Sequence, residues 1–285
     1  MLSLGQAMIL GTVQGVTELF PISSLGHSII LPKLLGWNIR QDDSFFLIFL
    51  VATHAATATV LFIYFWRDWK QIILGIIRSF AQRQIKEGDT YAKLGWLLII
   101  ATIPAGILGL LFEDFFKKLF ASPQLVAFVL ILNGLLLYMA EILRRNKQNQ
   151  TEKDSDQRLA KIKWVDTLKV GVLQAIALIP GFSRTGATIT GGLTVGLSHE
   201  DAARFSFLLA TPIIGAAAFL KLPELATQTG RSAIIPCLVG AIFAGVFAYI
   251  SVKFLTKYFE TKTLTPFALY CVIIGVLTSL LYLFL

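Results

Sequence analysis

Pro21-Ile22-Ser23-Ser24-Leu25-Gly26-His27 and Pro180-Gly181-Phe182-Ser183-Arg184-Thr185-Gly186-Ala187-Thr188 interrupt a chain that is otherwise strongly apolar. Hydroxyls, helix breakers and ionisable groups are expensive at membrane depth and are tolerated there only where the backbone is buried in protein or lines a wet cavity. The two segments are therefore expected to be two walls of one site.

The surrounding sequence has the composition of a membrane protein. In 285 residues, 55% are hydrophobic and 15% charged, and the mean hydropathy is +0.72, well outside the range of soluble domains. Apolar runs at 44–66, 94–112, 125–143, 205–220, 233–255 and 267–285 are long enough to cross about 30 Å of hydrocarbon. They predict an all-α, polytopic integral membrane protein with six spans. The first twenty residues lack a basic start and carry Gln6, Gln14 and Glu18, so they are expected to be retained rather than cleaved as a signal.

The net charge of +8 follows the loops. Arg67, Lys70, Arg78, Arg83, Lys86 and Lys93 precede the second span, and Arg144, Arg145, Lys147, Lys153, Arg158, Lys161 and Lys163 follow the third. That pattern marks both loops as cytoplasmic, a matter of topology rather than of nucleic-acid binding. Glu113 to Gln124, with balanced charge, is expected outside. Trp69 to Phe80 reads as an interfacial amphipathic segment or as a plain basic loop. Cys237 and Cys271 fall within spans and are assigned to packing.

Sliding the chain by 160 positions superposes Gly11, Gln14, Ser23 and Gly26 on Gly171, Gln174, Ser183 and Gly186. Each half then reads as one broken hairpin followed by three spans, and an odd number of crossings turns the second copy upside down. The expected organisation is a first repeat at 1–143 with a re-entrant hairpin at 1–36, a cytoplasmic linker at 144–164, and a second repeat at 165–285 with its hairpin at 165–196. Both termini are then outside. Gly240 and Gly245, or Gly192 and Gly196, allow close helix contacts and leave a homodimer open.

Within each hairpin, Pro21 and Pro180-Gly181 end the descending helix, and Ser23 or Ser24 in one copy and Ser183 in the other can cap the ascending one. Free N–H groups and the positive dipole end at two such starts attract anions. Gly26 and Gly186 allow close backbone approach, and Arg184 can fork onto two phosphate oxygens. Gln14 and Glu18 share a helix face. A buried Glu18 needs a partner such as His27, Arg184 or a metal ion. Glu18, a serine and His27 together supply the acid, hydroxyl and base of an activated nucleophile.

These residues resemble the undecaprenyl pyrophosphate phosphatases, also called bacitracin-resistance proteins. The resemblance rests on Gln14-Gly15-Val16-Thr17-Glu18 leading into the Pro21 to His27 segment, on the Pro180 to Thr188 segment, and on Glu200-Asp201-Ala202-Ala203-Arg204-Phe205-Ser206-Phe207. It implies hydrolysis of the terminal phosphate of a C55 polyprenyl diphosphate in the bacterial cytoplasmic membrane, with the site opening to the outer face. Two positions depart from the family pattern: Gln14 stands where many members have an acid, and Leu25 where Thr is frequent.

On this reading Arg184, Ser183, Thr188 and the glycines Gly26 and Gly186 hold the diphosphate. Glu18, with Gln14 and a Mg²⁺ or Ca²⁺ ion, organises charge. His27 acts as acid or base, and the nucleophile is Ser24, Ser23, His27 itself or an activated water. The prenyl tail lies in lipid. The competing class is a secondary transporter or flippase of a lipid phosphate, since inverted repeats with broken helices are that group's signature; Thr53 and His54 would then line a proton path.

Overall fold

The computed structural model describes residues 2–40, 43–119, 122–145, 155–226 and 228–284. Residues 146–154 of the expected linker, with Lys147 and Lys153, and the terminal residues Met1 and Leu285 lie outside them. Among the described residues the secondary structure is helical: α1 (Leu4–Thr17), α2 (Ser24–Leu34), α3 (Ser44–Tyr64), α4 (Trp66–Gln82), α5 (Thr90–Leu111), α6 (Glu113–Leu119), α7 (Pro123–Arg145), α8 (Ser155–Ala160), α9 (Trp164–Ile176), α10 (Arg184–Thr194), α11 (His199–Lys221), α12 (Gln228–Phe259) and α13 (Thr265–Phe284). A short 3₁₀ turn, Leu222–Ala226, joins α11 to the segment before α12.

Among the described residues six helices are long and apolar enough to cross a membrane: α3, α5, α7, α11, α12 and α13. They coincide with the six spans expected from the sequence, with end shifts of a few residues. The largest shift is in α11, which starts at His199 because the Ser198 side chain accepts the Asp201 N–H and caps it there. Outward-facing Ile, Leu and Phe side chains along these helices, such as Leu110, Phe128, Ile242 and Leu277, suit a hydrocarbon surround.

The four helices flanking the polar segments are short. α1 and α2 run 14 and 11 residues, α9 and α10 13 and 11, so at about 1.5 Å per residue none exceeds about 21 Å. The breaks between them lie at the two polar segments. Pro21 and Pro180 cannot continue the preceding helix, and Gly181 adopts φ +107°, a conformation closed to most side chains.

Gly11 and Gly171, superposed by the 160-position offset, make similar helix contacts. α1 packs along α12 and α9 along α5, while α7 pairs with α13 and α3 with α11. A Cβ at Gly11 would collide with the Gly240 backbone, and one at Gly171 with the Ala101 backbone. Each glycine thus lets its short helix approach a long helix of the other half at backbone distance. Gly240 and Gly192 are also used within the chain, Gly240 against Phe49 and Thr53 and Gly192 against Ala202.

α4 is a helix rather than a loop. Trp69, Ile72, Gly75 and Ser79 face inward, Gly75 against the Ala92 backbone, while Ile73, Leu74, Ile77 and Phe80 are exposed. Near its start, partly buried charges bind four elements together. Arg204 pairs with Asp68 and, at 2.5 Å, with Asp156; Arg158 pairs with Asp201 at 2.5 Å; and the Tyr91 hydroxyl donates to Asp156. The Glu200 to Phe207 run therefore contributes a structural lock joining α4, α5, α8 and α11. Both cysteines are free and buried.

Candidate active site

The two breaks cross one another at the centre of the molecule. In the first, Ser23 takes φ +69°, a strained value for a residue with a side chain, while its hydroxyl accepts the Gly26 N–H at 3.1 Å. In the second, the Ser183 hydroxyl caps Gly186 at 3.0 Å. Gly26 lies against Gly181, and Gly186 against the Pro21 carbonyl. Asn133, from the middle of α7, ties the breaks together: its amide donates to the Pro21 carbonyl and its carbonyl oxygen accepts the Ser183 N–H, both at 3.0 Å. Replacing Asn133 by Leu leaves the Ser183 N–H buried without a partner and the Pro21 carbonyl with only the weak Cys271 thiol donor at 3.9 Å, an expected cost of about 1 to 3 kcal/mol that thermal unfolding in detergent would register.

Glu18 is the hub. It follows α1 as its C-cap residue and is 6% exposed. Its Oε1 accepts from Arg184 Nη2 at 2.9 Å. Its Oε2 accepts from Ser24 Oγ at 2.5 Å and Gln14 Nε2 at 3.0 Å, and lies 3.1 Å from His54 Nε2. The Glu18 carbonyl accepts the Thr185 hydroxyl at 2.9 Å, locking the first break to α10. Arg184 Nη1 is buried without a protein partner, and a donor so placed fits a ligand oxygen.

Glu18, Ser24, His54, Ser183 and Arg184 form the inner end of a cavity of about 630 Å³. Its walls are apolar, from Leu47 and Val51 on α3 to Leu178, Ile213 and Ala217 on the other side. Glu113 and Lys221 line its other end and form an ion pair at 2.9 Å. An enclosed end with a guanidinium and a hydroxyl–carboxylate pair, lined beyond by apolar side chains, suits a phosphorylated amphiphile.

Not every expected residue reaches this point. His27 does not meet Glu18 or Ser24: its Nδ1 bonds the Ser23 carbonyl at 2.7 Å and its Nε2 the Tyr270 hydroxyl at 2.8 Å, which turns the ring toward α13. Thr188 is fully buried, held by the Arg184 carbonyl at 2.9 Å and the Ser206 hydroxyl at 2.5 Å, and positions α10 rather than facing the cavity. The N–H groups of Gly26 and Gly186 are taken by their serine caps, so those glycines serve the crossing of the breaks. Ser23 spends its hydroxyl on the cap, and Ser24 is the serine at Glu18. Thr53 bonds carbonyls of its own helix.

The Mg²⁺ or Ca²⁺ ion expected from the sequence would have Glu18 and Gln14 as its protein ligands. Such ions take six or more oxygen ligands, several of which waters and substrate phosphates can supply; both Glu18 oxygens accept from donors, and Gln14 Oε1 is buried without a partner. No group of three or more His, Cys, Asp or Glu side chains suited to a metal occurs among the described residues.

A family model described as bacitracin resistance protein BacA matches residues 7–277. The chain belongs to the BacA family. Similar proteins include the undecaprenyl-diphosphatase of Mycolicibacterium paratuberculosis, 45% identical over 96% of this chain and 95% of that one. Undecaprenyl-diphosphatase 2 of Chromobacterium violaceum is 43% identical over 95% and 96%, and the undecaprenyl-diphosphatase of Acidiphilium cryptum 41% identical over 96% of each. The match over residues 7–277 takes in both breaks, five of the long helices and most of α13.

Proposed function

We propose that this BacA-family chain is an undecaprenyl-diphosphate phosphatase, a multi-pass bacterial inner-membrane hydrolase that releases inorganic phosphate and regenerates the monophosphate carrier lipid. The observation that carries the reading is the buried Ser24–Glu18–Arg184 array lining a cavity whose walls are mostly apolar. A hydroxyl 2.5 Å from a buried carboxylate is poised to lose its proton to it. A guanidinium with one nitrogen on that carboxylate and another uncommitted can follow charge onto a phosphoryl group.

In the proposed reaction Arg184, with the Ser24 and Arg184 helix starts, holds the terminal phosphoryl group in line with Ser24 Oγ. Ser24 gives its proton to Glu18 Oε2 and bonds phosphorus as the bridging oxygen leaves with the lipid monophosphate. Water then cleaves the phosphoserine, and Glu18 returns the proton to Ser24. The test is phosphate release from a polyprenyl diphosphate by purified protein in detergent, with no membrane gradient. A carrier, the competing class, would release none.

The cavity also bears on the lipid. A cavity of about 630 Å³ is within the size range of small-ligand pockets, room for the diphosphate and the first isoprenoid units. The rest of a C55 chain lies in the bilayer. Farnesyl diphosphate is therefore expected to be hydrolysed with kcat within about tenfold of the undecaprenyl substrate, and steady-state kinetics on the two compares them. The orientation we infer from the basic loops puts the Glu113–Lys221 end at the outer face, with two short-helix hairpins entering from opposite sides of an inverted repeat.

A further inference from the structure

α4 presents three faces around its axis, and packing within the chain accounts for one of them. Trp69, Ile72, Gly75 and Ser79 form the buried face. It meets the start of α5: Gly75 lies against the Ala92 backbone, Ile72 and Ile76 against Gly95, and Trp96 Nε1 donates to Ser79 Oγ at 2.9 Å. Because α5 is a span that begins at Thr90, α4 rests on the end of a span, at the depth where hydrocarbon gives way to headgroups.

Beside the buried face runs an apolar one. At 3.6 residues per turn, Trp66, Ile73, Ile77 and Phe80 fall on one stripe, and all four are exposed, Phe80 by 70%. The Phe80 ring stacks on Trp96 of α5 with centroids 6.0 Å apart. Ile99 and Ile103, one and two turns beyond Trp96 on the same side of α5, are exposed as well. The stripe therefore continues the lipid-facing surface of α5.

The third face is basic. Arg67, Lys70 and Arg78 are exposed along it, and Asp89 holds Arg78 at 2.7 Å. From Trp66 to Lys93 the acidic residues are Asp68, Glu87 and Asp89, against Arg67, Lys70, Arg78, Arg83, Lys86 and Lys93; Asp68 is engaged by Arg204. A helix bathed in water has no use for the apolar stripe, and a helix crossing the bilayer could not carry the basic face.

We infer that α4 lies in the plane of the bilayer surface as a binding site for acidic phospholipids, with the stripe from Trp66 to Phe80 in the acyl boundary and Arg67 and Lys70 on headgroup phosphates. Charge complementarity selects this lipid class. A basic face held beside a membrane-seated stripe attracts headgroups of net negative charge and gains little from zwitterionic ones. On the orientation inferred from the basic loops, these are lipids of the cytoplasmic leaflet. None of the residues placed in the reaction takes part.

The test uses the full chain with Ile77→Cys, labelled with bimane and reconstituted in phosphatidylcholine vesicles that contain a little brominated phosphatidylglycerol or brominated phosphatidylcholine. Cys237 and Cys271 are buried, and the parent chain put through the same labelling gives their background. Both brominated lipids are expected to quench the label, phosphatidylglycerol at about fivefold lower mole fraction. In Arg67→Gln/Lys70→Gln the two lipids should act alike, with the unfolding temperature unchanged. Salt at about 0.5 M should shrink the preference without any further variant. A label at Gln71→Cys, on the basic side, should be reached by aqueous iodide rather than by brominated chains. Equal quenching by the two lipids, or a preference that survives both the double substitution and salt, overturns the acidic-lipid site. A label at position 77 reached by iodide and not by bromine places the stripe in water, and one quenched only by neighbouring labelled chains makes it a contact between copies; either result also overturns it.

Discussion

Ser24→Ala is expected to reduce phosphate release by at least about 10³-fold while leaving a folded protein. Loss of a nucleophile removes the step that every later event requires, and effects of this size are usual for such residues. The structural cost is small by comparison. Ser24 gives one hydrogen bond, to a Glu18 oxygen that also accepts from Gln14 and faces His54, so the carboxylate stays satisfied. The helix start survives too, because the cap of α2 is Ser23. Ser23→Ala makes the useful contrast. It removes the bond to Gly26, costing about 1 kcal/mol of cap energy, and should lower stability more than Ser24→Ala while lowering kcat less. Phosphate release and thermal unfolding measured on both proteins give opposite rank orders if Ser24 is the nucleophile, and the same order if it is not.

Much of this site is legible in the sequence for an identifiable reason. Helix breakers and polar groups are costly inside apolar sequence, so Pro21, Ser23, Ser24, Pro180, Ser183 and Arg184 announce themselves by composition, and the i, i+4 spacing of Gln14 and Glu18 announces a shared face. Six spans emerge from length and hydropathy alone. The structure then brings Glu18, Ser24 and Arg184 together across 166 positions of chain. What local pattern does not supply is the identity of residues arriving from continuous helices. Asn133 and His54 each sit alone in an apolar run, with no break or motif beside them, and only the packing of α7 and α3 on the breaks gives them partners. The single signal for His54 is its polarity at mid-span. His27 errs the other way: it lies in the motif, three residues from Ser24, but Tyr270, 243 positions away, claims its ring. Thr188 likewise spends its hydroxyl on Ser206 of α11.

Arg184→Ala is expected to cost about 10³ to 10⁵ in kcat/KM, the range over which an arginine stabilising charge on a transferring phosphoryl group acts. Two effects of the side chain have to be separated. The uncommitted Nη1 is the one expected to engage phosphate, whereas Nη2 neutralises Glu18. Removing the whole side chain therefore also strips a buried carboxylate of a strong partner, a change that costs about 3 to 5 kcal/mol where the remaining charge has no other support. Here His54, Ser24 and Gln14 still face Glu18, so the destabilisation should fall below that range. Arg184→Lys discriminates between the roles. An ammonium can reach Glu18 and restore most of the stability, but as a point charge it cannot fork between the carboxylate and a phosphate oxygen. The expected result is a protein with near-wild-type unfolding temperature and at least about 10²-fold lower kcat/KM. A lysine variant that recovers stability and activity together would mean that Arg184 acts only by neutralising Glu18, and that the phosphate is held by the helix starts instead.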